Sequence, residues 1–284
     1  MDRNKLMTLA ELKIKSVEYR KKILYYIKKA NAGHMGGSLS CVDILNVLYN
    51  SVLHVSPDII ENPDRDRYVQ SKGHSVEALY VVLADRGFFP ESELEKLCRY
   101  DSHFVGHPTR KVNGIEHNTG ALGHGLSVSV GIALAAKMDQ RVYKVYTLLG
   151  DGEMTEGSNW EAALSASHYK LDNLIAIVDY NQLQITGLTR EVCNTDPLED
   201  KFEAFGWHVE YINGHDLEEM NLAFHAIPLS KEKPTCFIAH TVKGKGISFM
   251  ENDIRWHHGV PDDASYQQAM EELEKELKLL ITQN

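Results

Sequence analysis

Cysteine is scarce in this chain and scattered: Cys41, Cys98, Cys193 and Cys236 stand far apart, and no two form a CxxC pair. That spacing suggests neither a disulfide framework nor a structural zinc site, and it leaves reduced, core-packed cysteines as the expectation. Long apolar runs are missing too. Nothing approaches the roughly 20 consecutive apolar residues that a bilayer-spanning helix needs, and the opening MDRNKLMTLAELKIKS has no apolar core of signal-peptide kind. A cytoplasmic protein with no membrane partner is expected. Positive charge is in deficit, with 30 Lys and Arg against 40 Asp and Glu and a formal net charge of −10. This argues against nucleic acid as a general partner, because phosphate backbones select basic surfaces. Internal repeats and low-complexity linkers are absent, and the one shift in composition is the charged tail from Asp262.

What is present suits a large α/β core. With 284 residues and 43% hydrophobic content, one large domain is favoured, spanning 1–284 with a helical tail over about 262–284. Apolar residues recur at helical spacing from Thr8 to Ala30, with lysines on the opposite, solvated face. Further helices are expected over Ser40–Tyr49, Ser75–Asp85, up to Lys137, over Gly157–Tyr169 and Pro197–Phe205, and ending at Ile227. Apolar runs read as strands over Val142–Leu149, Leu174–Val178, Trp207–Ile212 and Thr235–His240, and Arg65–His74 reads as a short strand leading into a turn. Strands alternating with helices predict a mainly parallel sheet flanked by helices.

The stretch LLGDGEMTEGSNWEAALSASHYKLDNLIAIVDYNQLQITG organises the rest. It reads as strand, turn, helix, strand, turn, with Asp151 after the first strand and Asn181 after the second. Parallel strands end on one edge of a sheet, so these two residues can meet although thirty positions separate them. A carboxylate, an amide oxygen and a backbone carbonyl are the donors that a hard cation such as Mg²⁺ accepts. The glycines flanking Asp151 let a diphosphate approach the backbone. Elsewhere, histidines sit in or beside glycine-rich loops: His34 within Asn31–Ser38, His74 at the start of a helix, His103 and His107 in a loop fixed by proline. Each of these has an ordinary explanation in packing, capping or a surface turn.

Together, GHMGGSLS, SKGHS, GHPT, NTGALGHGLSVSVGIALAAK and the Gly150-Asp151-Gly152 to Asn181 pair resemble the transketolase family, in order and approximate spacing. The resemblance implies a thiamine diphosphate-binding fold of the diphosphate-binding type. It implies Mg²⁺ on Asp151, Asn181 and the carbonyl of Leu183, and thiamine diphosphate against His74, Gly120, Leu122, Gly152, Glu153, Asn181 and Ile185. For Ile185, core burial is an equally good account. Sugar-binding and proton-transfer roles fall on His34, His74 and His107, with His103 left to packing or the surface. A further histidine is implied in the loop ending Trp256-His257-His258-Gly259, for which His258 is chosen over His257. Glu156 corresponds to an acid near the family's subunit interface.

The resemblance covers only the amino-terminal half of a full transketolase. The glutamate that activates the aminopyrimidine belongs to the family's pyrimidine-binding domain. This implies the N-terminal subunit of a split enzyme, working with a C-terminal subunit in an α₂β₂ assembly and moving a two-carbon ketol unit between sugar phosphates. The rivals are the α subunit of a 2-oxo acid dehydrogenase and a non-catalytic cofactor-binding module that regulates a partner.

Overall fold

The computed structural model describes residues 7–282. The first six and last two residues, which include the start of the stretch read for a leader and both ends of the 1–284 domain, lie outside the described residues. Thr8 opens helix α1 (Leu9–Ala30) with a capping box: its hydroxyl accepts the Glu11 N–H at 3.3 Å, and the Glu11 carboxylate accepts the Thr8 N–H at 2.7 Å. Asn31, at φ 54°, ends the helix in the left-handed conformation.

Helix α2 (Met35–Val47) starts sooner than the sequence suggested, so Gly36, Gly37 and Ser38 are helical rather than part of a loop. The glycines serve contact instead of flexibility. A Cβ on Gly36 would lie 3.0 Å from the Trp256 carbonyl oxygen, and one on Gly37 would lie 3.4 Å from the His74 ring.

The chain continues through β1 (Arg67–Gln70), α3 (Val76–Asp85), α4 (His124–Met138), β2 (Val145–Gly150), α5 (Gly157–His168) and β3 (Leu174–Tyr180). A short α6 (Thr189–Val192), then α7 (Leu198–Ala204), β4 (His208–Asn213), α8 (Leu217–His225), β5 (Thr235–His240) and α9 (Asp263–Thr282) complete it. The five strands are all parallel, in the order β1-β2-β3-β5-β4, as the alternating pattern predicts.

Side-chain alternation along the strands divides the core in two. Leu148, Ile175, Ile177 and Phe237 pack on the side of α1, α2, α3, α8 and α9. Leu149, Ala176, Val178, Cys236 and Ile238 pack on the side of α4, α5 and α7. Burial of each large side chain is worth roughly 1.5–3 kcal/mol, so the middle of the sheet, where both faces are covered, holds the strand ends firmly in register.

Three expectations need correction. Strand β2 begins at Val145, and Val142 is 84% exposed, because the turn after α4, with Gln140 at φ 56°, carries the chain over the surface before it enters the sheet. Cys41 and Cys236 are buried, but Cys98 and Cys193 are exposed, Cys193 directly after α6. The tail helix α9 is charged as expected, yet it is not wholly solvated: Ala269 and Leu273 are buried in the core beside α1. Among the described residues no helix is long and apolar enough to cross a membrane.

Candidate active site

The carboxyl ends of β1, β2, β3 and β5 surround a cavity of about 480 Å³, the edge of a parallel sheet where ligands bind. Asp151 follows β2 and is 2% exposed. Its Oδ1 accepts the Gly152 N–H at 2.7 Å, and its Oδ2 accepts the Gln182 N–H, so the carboxylate ties the turn after β2 to the turn after β3. Asn181 donates from Nδ2 to Asp179 at 3.2 Å and accepts the Leu183 N–H on Oδ1 at 3.1 Å. Asp151, Asn181 and Leu183 therefore line one cavity, the arrangement that the two strand-end motifs required.

The donors offered here suit a hard cation. Asp151 hydrogen-bonds only to backbone N–H groups, and burial, reinforced by the charge of Asp179, pushes its carboxyl up to about 7. Among the described residues no three His, Cys, Asp or Glu side chains converge as a metal-binding group. Carboxylate, amide and carbonyl oxygens, as on Asp151, Asn181 and Leu183, match the preference of Mg²⁺. The residues present thus fit the cation and diphosphate that the sequence resemblance implies.

Two buried lysines complete this wall, and neither was singled out from sequence. Lys243 is 2% exposed and donates to the Leu183 carbonyl at 3.0 Å. Burial, followed by the neighbouring charge of Lys72, pulls its ammonium down to about 8. Lys72 forms an ion pair with Asp179 and donates to the Gly37 carbonyl at 3.3 Å. Position was the available signal: each lysine stands a few residues beyond a strand end, directly before a glycine, in SKGHS and TVKGKG.

Opposite lie the histidines. The ring centroid of His34 stands 5.3 Å from that of His74, 6.0 Å from His107 and 5.7 Å from His257, and His74 and His257 stack at 5.4 Å. Of the two histidines before Gly259, both approach this cluster. His257 lines the cavity, whereas His258 is exposed, with its ring 4.5 Å from His34. Burial first, then neighbouring histidines and lysines, lowers His34 to about 4 and His257 to about 3, and puts His74 well below the ordinary range. Burial also lowers His107. At neutral pH these are uncharged imidazoles, each able to accept one proton or hydrogen bond and donate another.

The remaining expected residues fall around the same space. Gly120, at φ 129°, leaves room for His107, whose Cδ2 would lie 2.5 Å from a Cβ there. Leu122 and Gly152 line the cavity. Glu153 borders it as well, but its oxygens accept N–H bonds from Gly123 at 2.9 Å and Gly150 at 3.0 Å and a bond from the Ser71 hydroxyl, so it knits the loops together. Ile185 is 69% exposed and lines the cavity mouth, which removes core burial as its explanation. His103 and Glu156 are exposed and lie outside the lining.

The parallel α/β fold brings oxygen donors, lysines and neutral histidines together at its strand ends, a wall suited to an anionic ligand. Residues 15–276 match the family described as transketolase, thiamine diphosphate binding domain. An apulose-4-phosphate transketolase subunit from Phocaeicola vulgatus is 48% identical over 278 residues, covering 98% of this chain and 99% of that one. The 6-deoxy-6-sulfo-D-fructose transketolase subunit of a Clostridium species is 43% identical over 258 residues, covering 90% and 94%. Human transketolase is 42% identical over 229 residues, which cover 80% of this chain and 36% of the human protein. Among solved structures, transketolase from Campylobacter jejuni superposes with a TM-score of 0.86 at 31% identity, covering 96% of this chain and 46% of that one. This chain belongs to the transketolase family and corresponds to its thiamine diphosphate-binding part; it spans about half the length of the solved transketolases it matches.

Proposed function

We propose that this chain is the thiamine diphosphate-holding subunit of a two-subunit enzyme that transfers a two-carbon ketol unit from a ketose phosphate, or a related acidic ketose, to an aldose phosphate. The observation that carries this reading is the meeting of Asp151 and Asn181 on one wall, facing a ring of neutral histidines. Asp151, Asn181 and the Leu183 carbonyl would hold Mg²⁺, and Lys243 and the Gly152 backbone would serve the diphosphate. Gly120, Leu122 and Ile185 would flank the rest of the cofactor. When bound, thiamine diphosphate supplies the carbon nucleophile and electron sink that cleavage beside a ketose carbonyl requires.

His34, His74, His107 and His257 are placed to hold sugar hydroxyls and to accept or return their protons. General acid–base help of this kind is typically worth about 10²–10⁴-fold. The uncharged state of these imidazoles at pH 7 leaves each of them free to act in either direction.

The near end-to-end match to proteins named as transketolase subunits supports a separate C-terminal partner, which would bring the pyrimidine-binding domain and its activating glutamate, in an α₂β₂ assembly. Membership of the transketolase family, together with the histidine ring, favours sugars over the 2-oxo acids of the dehydrogenase alternative. The test is co-expression with a candidate C-terminal subunit, followed by a coupled assay of ketol transfer. Transfer by the complex and none by the isolated chain is expected. A complex that retains thiamine diphosphate and Mg²⁺ yet transfers nothing from any ketose phosphate offered would instead support a regulatory module.

A further inference from the structure

Behind the cavity wall lies a polar group that none of the roles above uses. Asp43, on α2, is 3% exposed, and its Oδ2 accepts from Arg20 Nη2 at 2.6 Å and contacts His215 Nδ1 at 2.7 Å. Arg20, on α1, also donates from Nε to the Lys245 carbonyl at 3.0 Å. His215 stands in the turn between β4 and α8, and its Nε2 accepts the backbone N–H of Val242 at 2.8 Å. An imidazole nitrogen that accepts carries no proton, so the proton must be on Nδ1, where it is donated to Asp43. Although burial pushes the Asp43 carboxyl up, Arg20 and His215 hold it below the ordinary carboxylate range. Asp43 stays anionic and so keeps this tautomer fixed.

The next residue is Lys243, whose ammonium reaches the Leu183 carbonyl. Beyond Lys243 the segment is held as well: Gly244 N–H donates to the Gly36 carbonyl at 3.1 Å, and Gly246, at φ 92°, would place a Cβ 2.7 Å from Arg20 Cδ. Gly214, just before His215, approaches Thr241 so closely that a Cβ would lie 2.5 Å from its methyl carbon. Three elements distant in sequence thus converge on the backbone on either side of one cavity lysine, the β4–α8 turn before it and α1 and α2 after it.

We infer that His215 is a positioning residue: held in one tautomer by Asp43 and Arg20, it fixes the Val242 amide and thereby sets Lys243 against the cavity wall. It touches neither the cavity nor the Leu183 carbonyl and acts only through Lys243. Only the ligand-binding part of the test rests on the cofactor reading given above.

The experiment compares the full chain with His215→Asn and His215→Gln. Asparagine can still donate to Asp43 from the Nδ1 position but is too short to reach Val242, whereas the glutamine carboxamide spans to the Nε2 position and can accept. The Val242 amide is expected to exchange with deuterium about tenfold faster or more in the Asn variant and at nearly the wild-type rate in the Gln variant. Equal exchange in wild type and the Asn variant would overturn the inference. ¹⁵N-histidine spectra of the wild-type chain give a reading that needs no folded variant: the Nδ1–H tautomer is expected at His215, and an Nε2–H signal there would overturn it.

The coupling is read by titrating magnesium pyrophosphate into four proteins: wild type, His215→Asn, Lys243→Ala and the double variant. A loss of about 10-fold on the wild-type background, from one misplaced charge-assisted contact, and none on the Lys243→Ala background supports action through Lys243. The same loss on both backgrounds contradicts it. If the wild-type chain takes up no pyrophosphate, the cofactor reading fails, and the exchange and tautomer measurements decide the clamp by themselves.

Discussion

Asp151 and Asp179 stand at the ends of neighbouring strands, joined by the hydrogen bond from Asp151 N–H to the Asp179 carbonyl at 3.2 Å, and the fold treats them in opposite ways. Asp179 is fully buried and surrounded by this chain's own donors: an ion pair to Lys72 and hydrogen bonds from Ser40, Asn181 and Thr241. Burial raises its carboxyl, but Lys72 and those donors hold it below the ordinary range. Asp151 is nearly as buried and receives only two backbone N–H bonds, and its carboxyl is raised to about 7. An acid neutralised by its own chain is an anchor. An acid left with uncompensated charge facing a cavity is suited to a cation from outside, and that difference separates scaffold from site here.

The largest effect should come from breaking the anchor. Lys72→Met leaves Asp179 buried without its cation and is expected to destabilise the chain by about 3–5 kcal/mol, read from urea unfolding of the cofactor-free protein. A loss under about 1 kcal/mol would erase the contrast between the two acids.

Asp151→Asn is expected to behave in the reverse way. The unfolding free energy of the cofactor-free chain at pH 8 should change by no more than about 1 kcal/mol, since one weak acceptor is lost and an unfavourable buried charge goes with it. Binding of Mg²⁺ with thiamine diphosphate should fall by roughly 100-fold or more, the cost of removing a charged partner.

The acidity of the two groups sharpens the contrast further. Because the folded value for Asp151 is about 7 against 3.8 ordinarily, the folded chain binds a proton that the unfolded chain does not between roughly pH 4 and 7. Its contribution is present at the acid end and disappears as pH rises through that window. Glu77, raised by burial to about 7 and held by the Ser38 hydroxyl and the His34 N–H, acts with the same sign. Asp179 has the opposite sign: its contribution is present above the ordinary carboxylate value and is lost on acidification below it. Glu153 shares the sign of Glu77, while the lowered histidines of the site act oppositely over the same window, so the reading is a difference: the stability of Asp151→Asn relative to wild type should increase from pH 4 to 7.5. Identical profiles would contradict the assigned acidity of Asp151.

The smallest effect is expected at the cavity mouth. Ile185→Ala removes a side chain that is 69% exposed, so stability should stay within about 0.5 kcal/mol, while thiamine diphosphate affinity drops by a few-fold, as read by calorimetry.

Most of the architecture could be read from the sequence because apolar periodicity alternates cleanly between strand and helix, and the Asp151 and Asn181 motifs sit where two such strands end. Their meeting followed from parallel pairing alone. What stayed hidden depended on tertiary approach. Lys72 and Lys243 look like ordinary surface lysines until the sheet edge closes over them, and Asp43 and His215 are 172 positions apart. His257 and His258 both bring their rings near His34, and no periodic pattern encodes that approach. Ile185 resembles a core residue in sequence, yet it stands exposed at the cavity mouth.

The most direct measurement is a calorimetric titration of thiamine diphosphate, with and without Mg²⁺, into the full chain together with a candidate C-terminal subunit, run in parallel for wild type and Asp151→Asn. Saturable, Mg²⁺-dependent binding by wild type and its loss in a variant that unfolds at the same urea concentration is the expected result. Equal binding by the two proteins, or binding indifferent to Mg²⁺, would contradict the role given to Asp151 and Asn181.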